Sequence, residues 1–132
     1  MSPDPKEFFH LTCRSKLASV LRHGLDPAYS ASSLKAVFLS GHRFTAANYA
    51  GMHSEDVILL RVDASRLDPA CLGPDNYELR DYLESLDGDH EDFGRRWNEF
   101  SWQESLALCD QVAYWGIIPP EALTVLPEIL PV

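Results

Sequence analysis

Val37-Phe38-Leu39-Ser40, followed by Phe44-Thr45-Ala46-Ala47-Asn48-Tyr49-Ala50, is the stretch on which the reading of this chain turns. Ala36 to Ser40 is apolar and ends in a small polar residue, which predicts a strand. Phe44 to Ala50 predicts a short helix, stopped by Gly51, that presents Tyr49 eleven residues after Phe38. Upstream, Phe8-Phe9-His10-Leu11-Thr12 predicts a second strand that gives way to a polar turn at His10 and feeds a helix. Taken singly, His10 reads as a hydrogen-bonded strand-end histidine, and Tyr49 as a core tyrosine with its hydroxyl satisfied. Taken together, a His at one strand end and a Tyr on the helix after the next strand can clamp a flat, polar ring.

Outward from these segments, Arg14 to His23 sets Leu17, Val20 and Leu21 on one helical face, with Thr12 as N-cap and Gly24 as a left-handed stop. Leu25-Asp26-Pro27 turns the chain, and Ala28 to Lys35 reads as loop. Val57-Ile58-Leu59-Leu60-Arg61-Val62 is a continuous β-branched run, expected as a central strand buried on both faces. Asp63 to Pro74 reads as a connection with Asp-Pro and Gly-Pro breaks, and Asp75 to Leu86 as a helix. Asp87 to Asp92 reads as a solvated acidic loop. Ser101-Trp102-Gln103-Glu104 has capping-box spacing ahead of a helix. Gln111 to Ile118 and Leu123 to Leu126 read as strands around Pro119-Pro120. Helices and strands mix without βαβ regularity, so the expected class is α+β, in one domain over residues 1–132.

Composition narrows the function classes. A net charge of −9 argues against a nucleic-acid binder held by phosphate neutralisation. The three cysteines, Cys13, Cys71 and Cys109, are odd in number and lack CxxC spacing, so we expect thiols in a reducing compartment rather than disulfides or zinc. The five histidines form no i,i+4 pair, and the acidic loop lacks the alternation of a calcium loop, so no metal is expected. Met1 to Glu7 carries no apolar leader-like run, and no segment reaches membrane-spanning length. The expectation is a cytoplasmic protein with no membrane partner, with export as an effector or toxin kept as an alternative.

The motifs resemble the ADP-ribosyltransferase superfamily, in particular its diphtheria-toxin-like His–Tyr–Glu branch, which includes the poly(ADP-ribose) polymerases. That branch opens with His-Gly-Ser/Thr at the end of the first strand, where this chain has His10-Leu11-Thr12. Its second motif is an aromatic strand running into a helix that ends Ser-Ala-Asn-Tyr, matched by Val37-Phe38-Leu39-Ser40 and Ala46-Ala47-Asn48-Tyr49. Its third is a late strand opening with the catalytic Glu, where this chain has Gln111-Val112-Ala113-Tyr114 before Ile118-Pro119-Pro120. RNA 2′-phosphotransferases and DNA-targeting ADP-ribosyltransferase toxins share much of this order. The resemblance covers most of residues 8–126.

It implies two facing, mostly antiparallel sheets with flanking helices and an NAD cleft between them. His10 would bond the adenine-side ribose of NAD, the Leu11 backbone would grip the carboxamide, and Thr12 would add a hydroxyl. Tyr49 would stack on the nicotinamide ring with Phe38 beneath it, near Ser40. Arg43, ahead of Arg14, Lys16 and Arg22, is the candidate for the pyrophosphate. Cleavage at the nicotinamide ribose passes through an oxocarbenium-like state, which an acceptor near the ribose hydroxyls stabilises.

Three departures qualify this. Leu11 replaces Gly, Ala46 replaces a carboxamide-binding Ser, and the acceptor position falls on Gln111, or on Asp110 by a one-residue shift, with Glu104 as a remote third candidate. A Gln bonds a hydroxyl but supplies no charge opposite a developing cation, a loss of about 3–4 kcal/mol of transition-state stabilisation. The readings are mono-ADP-ribosyl transfer from NAD to a protein, nucleic-acid or small-molecule acceptor; a weak or inactive NAD- or ADP-ribose-binding module; RNA 2′-phosphotransferase chemistry, which needs a basic cleft; and a structural protein whose motif is coincidental.

Overall fold

The computed structural model describes residues 4–30, 35–52 and 56–126. Among these residues are six strands, β1 (Glu7–Cys13), β2 (Val37–Ser40), β3 (Val57–Asp63), β4 (Leu72–Pro74), β5 (Gln111–Tyr114) and β6 (Leu123–Leu126), and four α-helices. These are α1 (Leu17–His23), α2 (Arg43–Ala47), α3 (Asn76–Glu84) and α4 (Trp102–Cys109), so the fold is α+β. The strands form one six-stranded sheet in the order β4-β5-β2-β1-β3-β6, antiparallel at each pairing.

The sheet corrects the expectation of two separate sheets, and the reason lies between β1 and β2. Seven residue pairs join β1 to β3, but only Phe9↔Ser40 joins β1 to β2. Past that pair the strands part, and the His10 imidazole takes up the backbone group left behind: Nδ1 donates to the Phe38 carbonyl at 2.7 Å. The sheet is continuous by one pair and splayed beside it.

Period-two alternation sorts the two faces. Phe8, Leu60, Val62, Val37, Leu39, Val112 and Tyr114 make the larger core, covered by Val20 of α1 and by Trp102 and Leu106 of α4. Phe9, Leu11 and Leu59 face the other way, under Ala46 of α2, with Tyr49 and Ala50 packed against them. The run from Ile58 to Leu60 is buried on both faces as expected, whereas Arg61 is exposed.

Several boundaries move. A 3-10 turn at Arg14–Lys16 shortens the first helix, and Thr12, buried inside β1, caps nothing. Beyond Ala47 the second helix tightens into a 3-10 turn, Asn48–Met52, that runs through Gly51. β4 lies inside the expected 63–74 connection, and β5 ends at Tyr114 because Ile118 pairs separately with Leu25. Residues 31–34 of the expected 28–35 loop lie outside the described residues.

Candidate functional site

The last pairing of β2 with β5, Ser40↔Gln111, sets two polar side chains on the face that carries Phe38. Both are buried, Ser40 to 3% exposure and Gln111 to 4%, so each needs a partner. Ser40 Oγ donates to Gln111 Oε1 at 2.9 Å. Gln111 lies close enough to Tyr49 to act on its phenol, in the lowering direction. The Tyr49 hydroxyl in turn donates to Glu78 Oε1 at 2.7 Å. Two hydrogen-bonded pairs, Ser40–Gln111 and Tyr49–Glu78, lie side by side, the second ending on a carboxylate. Burial, with the Glu78 hydrogen bond adding to it, pushes the Tyr49 phenol pKa well above its ordinary value, so it stays a neutral donor.

Glu78 is held there by the start of α3. Asp75 caps the helix, its Oδ1 accepting from the Tyr77 and Glu78 backbone N–H groups at 2.9 and 3.1 Å. Wholly buried Ser105 ties that cap to β5: the Asp75 N–H donates to Ser105 Oγ at 3.0 Å, and Ser105 Oγ donates to the Gln111 carbonyl at 2.7 Å. One hydroxyl therefore fixes the backbone behind Glu78 against the backbone behind Gln111. Ser105→Ala leaves a buried N–H and a buried carbonyl without that partner and is expected to destabilise the fold by about 2 kcal/mol, measured by urea denaturation. Tyr77 meets the Phe38 ring edge-on at 6.1 Å, and burial together with Glu78, Asp75 and Asp81 pushes the Cys109 thiol up to about 11.

Asp75 carries a pH signature. Burial, with Glu78 nearby, raises its carboxyl from an ordinary 3.8 to about 6. The folded state therefore binds the proton more tightly than the unfolded state. The associated stability is fully present below about pH 4 and is lost as pH rises through about 6. Asp75→Asn, which keeps the cap, is expected to remove on the order of 2–3 kcal/mol of that fall, measured as the difference in unfolding free energy between pH 4 and pH 7.

Among the expected site residues, Phe38, Ser40, Tyr49 and Gln111 come together on one face, whereas His10, paired with Leu60, is on the face of the larger core and touches this group only through the Phe38 carbonyl. With Nδ1 donating there, Nε2 is the acceptor of the neutral ring. Leu11 and Ala46 sit in one apolar cluster, large residue near small, so the two departures from the motif occur in the same packing unit. Arg43 opens α2 half-buried, while Arg14, Lys16 and Arg22 are exposed around α1.

Two expectations are corrected. Asp110 lies outside the strand: it caps α4 in the left-handed conformation, φ 57°, and its carboxylate accepts from His42 Nδ1 at 2.9 Å and from the Thr45 hydroxyl. It is no register alternative to Gln111. Glu104 closes the α4 capping box and takes two bonds from the Arg95 guanidinium, at 3.0 and 3.1 Å, a structural role. Trp115 packs over Gly73 at the sheet edge.

Glu78, Tyr77, Asp75 and Ser105 went unread in the sequence. The available signal was Asp75-x-x-Glu78, the same cap spacing that marks Ser101-x-x-Glu104. Among the described residues no helix is long and apolar enough to cross a membrane, and no three potential ligands gather for a metal. In comparison with known proteins, the chain matches no family model and no curated protein sequence.

Proposed function

We propose that the chain is a mono-ADP-ribosyltransferase of the ADP-ribosyltransferase-like fold, which cleaves NAD at its nicotinamide ribose and transfers ADP-ribose to an acceptor. The observation that carries this reading is the Tyr49 hydroxyl on Glu78, with the buried Ser40–Gln111 pair on the same face of the sheet. The neutral Gln111 lacks the charge that an oxocarbenium-like state requires, and Glu78 brings a carboxylate to the same cluster from another element. The nicotinamide of NAD is a cationic ring, which aromatic faces and a nearby carboxylate both attract. Tyr49, Phe38 and Tyr77 offer the first and Glu78 the second.

The test is incubation with NAD and measurement of released nicotinamide. Release from the wild type, lost in Tyr49→Ala and His10→Ala, supports the transferase. Absence of both nicotinamide release and an NAD-induced rise in melting temperature overturns it.

One observation favours a second reading, an NAD- or ADP-ribose-binding module. Gln111 is buried with its Oε1 already occupied by Ser40, which suits holding a ligand better than reacting with one. That reading expects a rise in melting temperature with NAD and no nicotinamide.

A further inference from the structure

The flank of α3 turned away from Tyr49 carries a second cluster of charged and aromatic groups. Arg80 stands two residues after Glu78, about 200° round the helix, and meets the chain that follows the acidic loop. Gly94, at φ 83°, turns that chain, and the 3-10 turn Trp97–Glu99 sets the indole of Trp97 5.8 Å from the Arg80 guanidinium. Between the two elements runs a groove of about 280 Å3, with Leu83 and Trp97 as apolar wall and Arg80, Arg95 and Arg96 as cations. Arg95 is fixed by Asp92 and Glu104 and lies 3.7 Å from the centre of the Phe100 ring. Arg80 and Arg96 are exposed, and among the described residues neither meets a carboxylate at ion-pair distance. Three of the eleven Lys and Arg therefore converge on one groove of a chain with net charge −9.

We propose that this groove docks an acidic peptide segment of a partner protein, which sets a carboxylate on Arg80 and Arg96 and an apolar neighbour against Leu83 and Trp97. The proposal goes beyond the transferase reading and does not depend on it. Three features select this occupant. Guanidinium groups are forked donors that match a carboxylate, and Arg80 and Arg96 have their forks unclaimed by any described carboxylate. Arg80 lies over Trp97, a contact that holds the cation in place and competes with the stacked base that single-stranded nucleic acid would offer. Glu84 stands in the groove wall, and the acidic loop Asp87 to Asp92 lies between α3 and Arg95 in the chain. A continuous phosphate backbone would meet those carboxylates, whereas a single acidic side chain can sit between them.

The experiment follows fluorescence anisotropy of a fluorescein-labelled peptide of repeated glycine-glutamate-leucine units, titrated with the full chain at about 50 mM salt, beside a labelled oligothymidylate of equal charge. The wild type is expected to bind the peptide, and to bind it more tightly than the oligonucleotide. The double variant Arg80→Gln/Arg96→Gln is expected to lose about tenfold in affinity, the combined effect of two partly exposed charge pairs. Both side chains are exposed, so the melting temperature should not change. Lys16→Gln/Arg22→Gln removes the same charge from the exposed surface around α1 and is expected to leave affinity within about twofold. No binding of the peptide by the wild type overturns the proposal. So does equal affinity in the wild type and the Arg80/Arg96 variant, or an equal loss in the Lys16/Arg22 variant, which would reduce the effect to bulk charge. Tighter binding of the oligonucleotide, lost in the Arg80/Arg96 variant, would overturn the acidic peptide and assign the groove to nucleic acid.

Discussion

Glu78→Gln is expected to lower nicotinamide release by about 10²- to 10³-fold, the loss that follows removal of one preorganised electrostatic contact to a charge-developing transition state. Glutamine keeps the size of the side chain and a carbonyl oxygen able to accept from Tyr49 at the observed 2.7 Å. The clamp should therefore persist while the charge disappears, so NAD is expected still to raise the melting temperature. A second readout checks the geometry without turnover. Glu78 raises the Tyr49 phenol both by hydrogen bonding and by charge, with burial as the larger cause. In Glu78→Gln the phenol should titrate at a lower pH than in the wild type but remain above an exposed tyrosine, followed by ultraviolet absorbance. Unchanged titration would mean that the Tyr49–Glu78 bond does not persist in solution. Unchanged release would mean that Glu78 is not the stabilising charge. Gln111→Glu sharpens the contrast: it would bring a second carboxylate to a phenol that already faces one, and like charges there favour protonation of one of them. No gain in release is expected from it.

The sequence made the elements around the clamp legible because their chemistry is local. Phe8–Thr12, Val37–Ser40 and Val57–Val62 carry strand signals within a few residues, and Ser101-x-x-Glu104 announces its helix by itself. β4 escaped because Leu72-Gly73-Pro74 is three residues long and built from breakers. It is tolerated because it lies at the sheet edge, where a proline need not donate. Glu78 escaped for a different reason. It stands 29 residues from Tyr49, and only the chain path through β4 and α3 brings it to the phenol. Ser105 looked like a small residue inside a helix, and its two buried hydrogen bonds exist only once α3, α4 and β5 have met. Asp110 and Gln111 are neighbours in sequence but belong to different elements, helix cap and strand, so period-two alternation does not apply across them. Strand pairing also dissolved the expected second sheet, since a single residue pair suffices to join two halves that otherwise diverge.

Gly24→Ala is expected to be the most damaging single-methyl change among the described residues, costing at least about 3 kcal/mol and lowering the melting temperature by ten degrees or more, roughly. Two separate penalties meet there. At φ 84° and ψ −174° the backbone lies in a region essentially reserved for glycine, which costs a side chain about 1–3 kcal/mol. An added Cβ would also stand 2.1 Å from the Ile118 carbonyl oxygen, well inside contact distance. That carbonyl cannot withdraw cheaply: it accepts from Leu25 N–H at 2.9 Å while Ile118 N–H donates back to Leu25 at 2.9 Å. This reciprocal pair docks the end of α1 onto the chain leaving β5, and both Leu25 and Ile118 are in the larger core. Gly94→Ala separates the two penalties, because Gly94 has φ 83° but nothing within 4 Å of its added Cβ. It should cost about 1 kcal/mol, the strain alone. Gly88→Ala, with open space and no positive φ, should stay within about 0.5 kcal/mol of wild type. Chemical denaturation of the three variants orders them. A Gly24→Ala loss no larger than that of Gly94→Ala would mean that the Leu25–Ile118 junction yields, and that the core does not depend on that close approach.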